Sequence, residues 1–392
     1  MKFWSPSRQF VWFWLALIAG VVLGRYFQFP VTTLAWIGGL WLLVYISGQA
    51  WKIEVLSLTL FGLVAGVLLW QVTDGEGWLH LELLTQFQTA LVGVRDSIVE
   101  RIFLALPEPH GSLLAGILLG NRVRLDRDLL EVFRLVGLSH IIAVSGYNLT
   151  ILTANIRSVL RPMLGRKMTL AVAAVAVVSF VLLSGAPPSI IRAAVMAGIL
   201  LWGDYLGRPQ RSLGALALAA GVIVLFQPKI IFDIGFQLSI AATYGLIRLA
   251  PVITHALGLF KIPAWLKLVL GETLAATIMT APLIIAVFER LAVVSPLSNI
   301  LVVPLIPLLM TIGIGSVILL FVFPAVGSVA TLLTWPILQW IIFVGEKLSA
   351  LQFASTNLAL SAYASALIML VFFIGSEMLN ARYQAREREI TV

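Results

Sequence analysis

The chain has 392 residues, 60% of them hydrophobic and only 11% charged, with a mean hydropathy of +1.03. So few charged groups cannot cover a soluble globule, which leaves a polytopic membrane protein. Lys and Arg number 26 against 18 acids, but this excess is scattered over short loops rather than gathered into a nucleic-acid patch, and the absence of cysteine excludes disulfides and thiolate metal sites.

The N-terminal MKFWSPSRQF precedes an apolar run over about 10–27, and runs over 31–50 and 53–72 follow within a few residues. Each is long enough for about 30 Å of hydrocarbon. The first is therefore expected as a permanent helix rather than a cleaved leader. Residues 73–136 carry nine acids, among them Asp74, Glu76 and Glu82, against six Lys or Arg, which suits the outer face after three spans. Within this segment Leu84, Phe87, Leu91, Val94, Ile98 and Ile102 recur at three and four residues, while Arg95, Asp96, Glu100 and Arg101 fall elsewhere. That spacing predicts an amphipathic helix lying along the membrane surface and ended by Pro107 and Pro109. Leu113–Leu119 is apolar but too short to span, and NRVRLDRDLLEVFRL reads as a charged helix.

Next comes GLSHIIAVSGYNLTILTAN, residues 137–155. Taken as one α-helix at about 100° per residue, it places His140, Asn148 and Asn155 on one arc with Ser145 at its edge. Such an arc either glues packed helices together or lines a wet pathway. Further apolar runs cover 168–184, 190–206, 212–227, 233–250 and 268–287; no charge occurs from Leu291 to Gly345, enough for two or three passes, and a last run covers 358–376. The expected fold is all-α, a polytopic transmembrane helical bundle of about 10–13 membrane helices. Its segments are 1–72, a three-helix membrane part; 73–136, external and interfacial; 137–377, the transmembrane core; and 378–392, a tail. Lys2 and Arg8, the loop Arg157, Arg161, Arg166 and Lys167, then Arg208 and Arg211, and Arg382, Arg386 and Arg388 in the tail put both termini in the cytoplasm.

No G-x-x-x-x-G-K-[ST] loop is present, and His80, His110, His140 and His255 lie far apart, so neither a nucleotide-driven pump nor a metal centre is expected, and no cofactor. Ala143-Val144-Ser145-Gly146 is similar to the G-x-S-G motif of rhomboid intramembrane proteases, in which Ser is activated by a His on another helix. Here the first Gly is Ala, and His255, within PVITHALGLFKIP, is the one later His.

The stretch GLSHIIAVSGYN resembles the "GLxHLLAISGLHV" segment of the ComEC competence family, and three later motifs follow in the same order. SGAPPSIIRAAVM (184–196) is similar to "tGxxxSxxRAxxM", PKIIFDIGFQLS (228–239) to "PxxLxDxGFQLSF", and SPLSNILVVPL (295–305) to the "NxxxxP" helix. The resemblance implies a bacterial inner-membrane channel that imports single-stranded DNA. Its partners would be that DNA, the lipid bilayer and separate nuclease, helicase or DNA-receptor proteins of an uptake machinery. Two features depart from it. Asn148 stands where the family carries a second His, and neither the outer oligonucleotide-binding fold nor the nuclease-like domain of long members is expected here. A transporter of another anionic or amphipathic solute on the same core is the alternative.

The residues expected along the pathway, none with a catalytic role, are His140, Ser145, Gly146, Asn148, Ser189, Arg192, Asp233, Gln237, Ser239 and Asn299. A charge such as Arg192 at mid-membrane costs about 2.5–3.5 kcal/mol on insertion scales, so it faces water or a partner. Asp233 is the natural partner, as a helix-pairing salt bridge or as a fellow pore residue, and Gln237 lies one turn after it. Neutral donors with one balanced charge let a polyanion bind and leave, where a ring of bare Arg would hold it. Phe236 is expected as packing rather than as a base-stacking platform. Gly185-Ala186-Pro187-Pro188 and Ser295-Pro296-Leu297 break apolar sequence just before Ser189, Arg192 and Asn299. Each break is either a tight interfacial turn or backbone beside a cavity.

Overall fold

A computed structural model describes residues 6–27, 54–73, 82–120, 124–142, 145–185, 188–205 and 212–390. The described chain is helical apart from one two-stranded ribbon, as the composition requires. It divides into two compact units. One is Met1–Leu83 with Val195–Ile240, the other Leu84–Ala194 with Ala241–Val392.

In the first unit α1 (Pro6–Tyr26) packs on α2 (Glu54–Thr73). Both carry a G-x-x-x-G spacing, Gly20/Gly24 and Gly62/Gly66, and a Cβ at Gly20 would fall on the Leu63 carbonyl oxygen, one at Gly66 on that of Leu17. Where hydrocarbon chains are as apolar as the helices, close backbone approach of this kind supplies the attraction. Trp14, Leu17 and Val21 then join the buried residues of α9 (Ser212–Phe226), among them Ile223 and Val224, and Phe236 of α10 (Ile234–Arg248). Phe236 is thus packing, as expected.

The second unit is built around α4 (His110–Leu119), whose ten residues are all buried. Against it lie α3 (Glu82–Ala105), α5 (Arg127–Leu135), the single turn α6 (Ser139–Ile142), α7 (Gly146–Leu183), α13 (Ser295–Val302), α14 (Ile306–Val322) and α16 (Trp335–Ser349); these share one apolar cluster running from Ile98 to Ala354. The remaining α-helices are α8 (Pro188–Tyr205), whose residues to Ala194 fall in the second unit and the rest in the first, α11 (Ala250–Ala256), α12 (Ala264–Phe288), α15 (Pro324–Leu332) and α17 (Ala362–Ile390). Strands β1 (Arg290–Ala292) and β2 (Ser355–Asn357) pair antiparallel with Arg290 opposite Asn357.

The amphipathic helix expected before Pro107 is α3, but its apolar face is turned. Ile98, Val99, Ile102 and Leu106 enter the core while Val94 is exposed, and Arg101 donates from Nη1 to the Leu320 carbonyl at 2.6 Å and lies 4.3 Å from the Phe321 ring centroid. Arg101 thereby satisfies a carbonyl in the last turn of α14. Among the described residues five helices are long and apolar enough to cross a membrane, Gly146–Leu183, Ala264–Phe288, Ser295–Val322, Pro324–Ser349 and Ala362–Ala385. Ile234–Arg248 with Ala250–Leu259, bent by 45°, makes a sixth if taken as one span. Ten to thirteen crossings go beyond these lengths. One reason is length: on three of the counted runs the apolar helices Phe13–Tyr26, Phe61–Thr73 and Leu213–Phe226 are shorter than the five above. Another is coverage, because the run 31–50 lies outside the described residues. The runs 137–156 and 168–184 do not form separate helices either; α7 joins them across a kink at Gly165 (φ 70°, ψ 176°).

Candidate functional site

The polar stretch opens on a helix stop. Helix α5 begins with Asp126, whose carboxylate accepts from the Asp128 N–H, and ends in paired reverse bonds: Leu138 N–H to Phe133 O at 2.8 Å and Gly137 N–H to Arg134 O at 3.2 Å. With Leu138 and Phe133 both buried, this is a Schellman motif, which requires a left-handed residue between them. Gly137 takes it at φ +77°, and a Cβ there would stand 2.6 Å from Ser295 Oγ. The Gly-Leu of the motif is therefore a turn that seats α13 against α5.

The single long helix expected over 137–155 is not formed. After the turn α6, in which the exposed His140 pairs through Nδ1 with the Gly137 carbonyl at 3.0 Å, the backbone is extended at Ser145 (φ −117°, ψ 167°) and α7 starts at Gly146. Ala143 and Val144 lie outside the described residues. A helix break resets the angular count, so His140 and Asn148 do not belong to one helical arc. Ser145 donates to Asn148 Oδ1 at 3.3 Å, and Asn148 Nδ2 donates to the Ile117 carbonyl at 2.9 Å. Ile117 sits in the last turn of α4, where Gly120 N–H takes the Gly116 carbonyl. Asn148, 2% exposed, thus closes the end of a buried helix. Gly146 admits α8 closely, since its Cβ would lie 3.1 Å from Ala193 Cβ, and Tyr147 points outward. Further along α7, Asn155 Nδ2 donates to Thr311 Oγ1 at 2.8 Å.

Around the fourth motif Ser295, Ser298 and Asn299 are buried on α13. Ser298 Oγ donates to the Val136 carbonyl at 2.7 Å, and Asn299 Nδ2 to Ser295 Oγ at 3.4 Å. Asn299 Oδ1 is buried with no hydrogen-bond partner among the described residues. Both expected backbone breaks are present: Gly185 is left-handed at φ +78°, with Arg95 Nη1 3.9 Å from its would-be Cβ, and Ser295 follows β1 to begin α13. Arg192 on α8 is 2% exposed and belongs to the second unit. The Ser189 side chain lies outside the described residues.

Asp233, Gln237 and Ser239 belong to the first unit. Exposed Asp233 is the N-cap of α10, its Oδ1 accepting from the Phe236 N–H at 2.7 Å, and Gln237 Nε2 donates back to the Ile231 carbonyl at 2.8 Å. The Asp-x-x-x-Gln spacing is thus the joint between the short 3₁₀ turn Pro228–Phe232 and α10. Ser239 is half-buried on α10.

The structure therefore brings together Ser145, Asn148 and the Ile117 carbonyl, separately Ser295, Ser298 and Asn299 on α13, and Asp233 with Gln237 at the start of α10. Ser298 and Thr311 were missed from the sequence, although both are polar residues inside the charge-free stretch 291–345. Glu272 was missed too. It is exposed on α12 and is the one acid between Asp233 and Glu289. Ser145 and His140 do not use each other: the hydroxyl turns to Asn148, the imidazole to Gly137 O.

A bundle of long apolar helices tied by buried side-chain amides and hydroxyls defines a polytopic helical membrane protein. The profile of the family described as Competence protein matches residues 117–381, well over half of the chain, and the chain belongs to that family. It is 27% identical over 223 residues to ComE operon protein 3 of Bacillus subtilis (strain 168); the match covers 56% of this chain and 27% of that relative. The chain thus matches about a quarter of the length of its curated relative. No solved structure matches.

Proposed function

We propose that this chain forms the membrane path of a DNA-uptake system, a channel that admits single-stranded DNA across the bacterial inner membrane, with both termini cytoplasmic. Membership of the Competence protein family supports the DNA-uptake role. The observation that carries the channel reading is the helix break between α6 and α7: His140 and Tyr147 remain exposed there and Ser145 half-buried, while Asn148 anchors the wall behind them. Non-helical backbone at membrane depth survives only against protein or a wet cavity. Neutral donors along such a cavity let phosphates pass without being trapped. Strand degradation and driving force fall to separate nuclease, helicase or DNA-receptor proteins.

The chain has no cysteine, so single Cys residues at 140 and 147 report directly. A small hydrophilic thiol reagent labels both, and added single-stranded DNA slows the labelling. In a strain lacking this protein alone, entry of labelled DNA is lost and returns on re-expression. Unhindered labelling in the presence of DNA, or undiminished uptake in the deletion strain, overturns the reading.

A further inference from the structure

Residues 157–168 of α7 differ from every other part of that helix. From Ser158 to Met168 all but Leu160 are exposed, although Val159 (62% exposed), Met163 (76%), Leu164 and Met168 are large and apolar. Arg157, Arg161, Arg166 and Lys167 stand among them, and no acid occurs from Gly146 to Gly203. At about 100° per residue Arg157 and Arg161 share one face of the helix and Val159 and Met163 the opposite one. Arg157, Ser158, Arg161 and Pro162 line an open groove of about 470 Å³. The kink at Gly165 follows at once.

We propose that this groove binds the phosphate of an anionic phospholipid headgroup. A helix with basic and apolar faces opposed lies in the plane of the interface, its apolar side among the acyl chains and its cations at headgroup level. Two guanidinium forks one turn apart match a phosphate flanked by lipid on one side. The positive-inside tendency accounts for the sign of the charge but not for the apolar residues exposed on the opposite face. A nucleic-acid groove has no use for Val159 and Met163. The site requires a membrane and does not depend on the DNA-channel reading, so either can fail alone.

The test uses the full chain in neutral detergent, titrated with phosphatidylglycerol or phosphatidylcholine and read by native mass spectrometry. Phosphatidylglycerol binds in preference, and each of Arg157→Gln and Arg161→Gln lowers its affinity about fivefold. Lys261→Gln, on an exposed loop, leaves it unchanged. Val159→Ser with Met163→Ser weakens both lipids. Should an arginine variant fold poorly, Arg161→Lys keeps the charge, loses the fork and gives a smaller drop. Equal binding of the two lipids, or full phosphatidylglycerol affinity in the double glutamine variant, overturns the proposal. So does a single-stranded oligonucleotide that loses affinity in that variant while phosphatidylglycerol does not.

Discussion

Helix α4 and the segment 157–168 of α7 have similar lengths, and neither can cross a bilayer alone. Their surroundings are opposite. All ten residues of α4 are buried, whereas the α7 segment is exposed almost all round. Hydropathy explains only part of this difference, because α4 is apolar but the α7 segment also exposes four large apolar side chains. What separates them is where their polar groups lie. In α4 the last turn is closed by Gly120 N–H and by Asn148, and Glu108 Oε2 accepts from the Ser112 N–H near its start. The α7 segment instead presents Arg161, Arg166 and Lys167 at the surface.

That comparison breaks most sharply at Leu114, which is 0% exposed. Leu114→Ala should cost about 2–5 kcal/mol of stability, read as a lower midpoint in detergent unfolding. Asn148→Ala should cost about 1–3 kcal/mol, since it removes a buried hydrogen bond to the Ile117 carbonyl. A cost equal to that of an exposed substitution would deny Asn148 its role in closing α4. Gly137→Ala should cost about 1–2 kcal/mol from the left-handed backbone alone, with a further loss if Ser295 cannot yield. The same unfolding assay checks it, and Ser295→Gly in the second position should recover that further part. Met163→Ala should stay within about 0.5 kcal/mol in neutral detergent, and a loss as large as that of Leu114→Ala would erase the distinction.

Much of the second unit was legible from spacing. The three-and-four recurrence through Ile98 and Ile102 placed α3, and Pro107 with Pro109 marked its end, because proline removes an amide and clashes with the preceding turn. The breaks at Gly185 and Ser295 were legible as breaks. The face of α3 was not, since Val94 and Val99 are equally apolar and the choice between them depends on Arg101 reaching the Leu320 carbonyl far away in sequence. Nor was the interruption of 137–155. Its apolar residues suit one helix, but Gly137 ends α5 through bonds to Phe133 and Arg134, outside the stretch. Asp233 read as half of a charge pair because its apolar flanks left no visible partner. It also caps α10, accepting from a backbone amide three residues on, where the N-terminal end of the helix dipole favours its charge. The glycine contacts of α1 with α2 were written openly as two G-x-x-x-G spacings and went unread.

The bond from Asn148 to Ile117 has a mechanical consequence. It joins the first turn of α7 to the last turn of α4, adding a directional tie to the apolar packing that the two already share. At about 1–3 kcal/mol the joint is open in roughly one molecule in six to one in 150 at equilibrium. Any cycle that tilts the start of α7 therefore either drags α4 along as a lever or first releases this joint, and its opening frequency sets a ceiling on how often the two helices part.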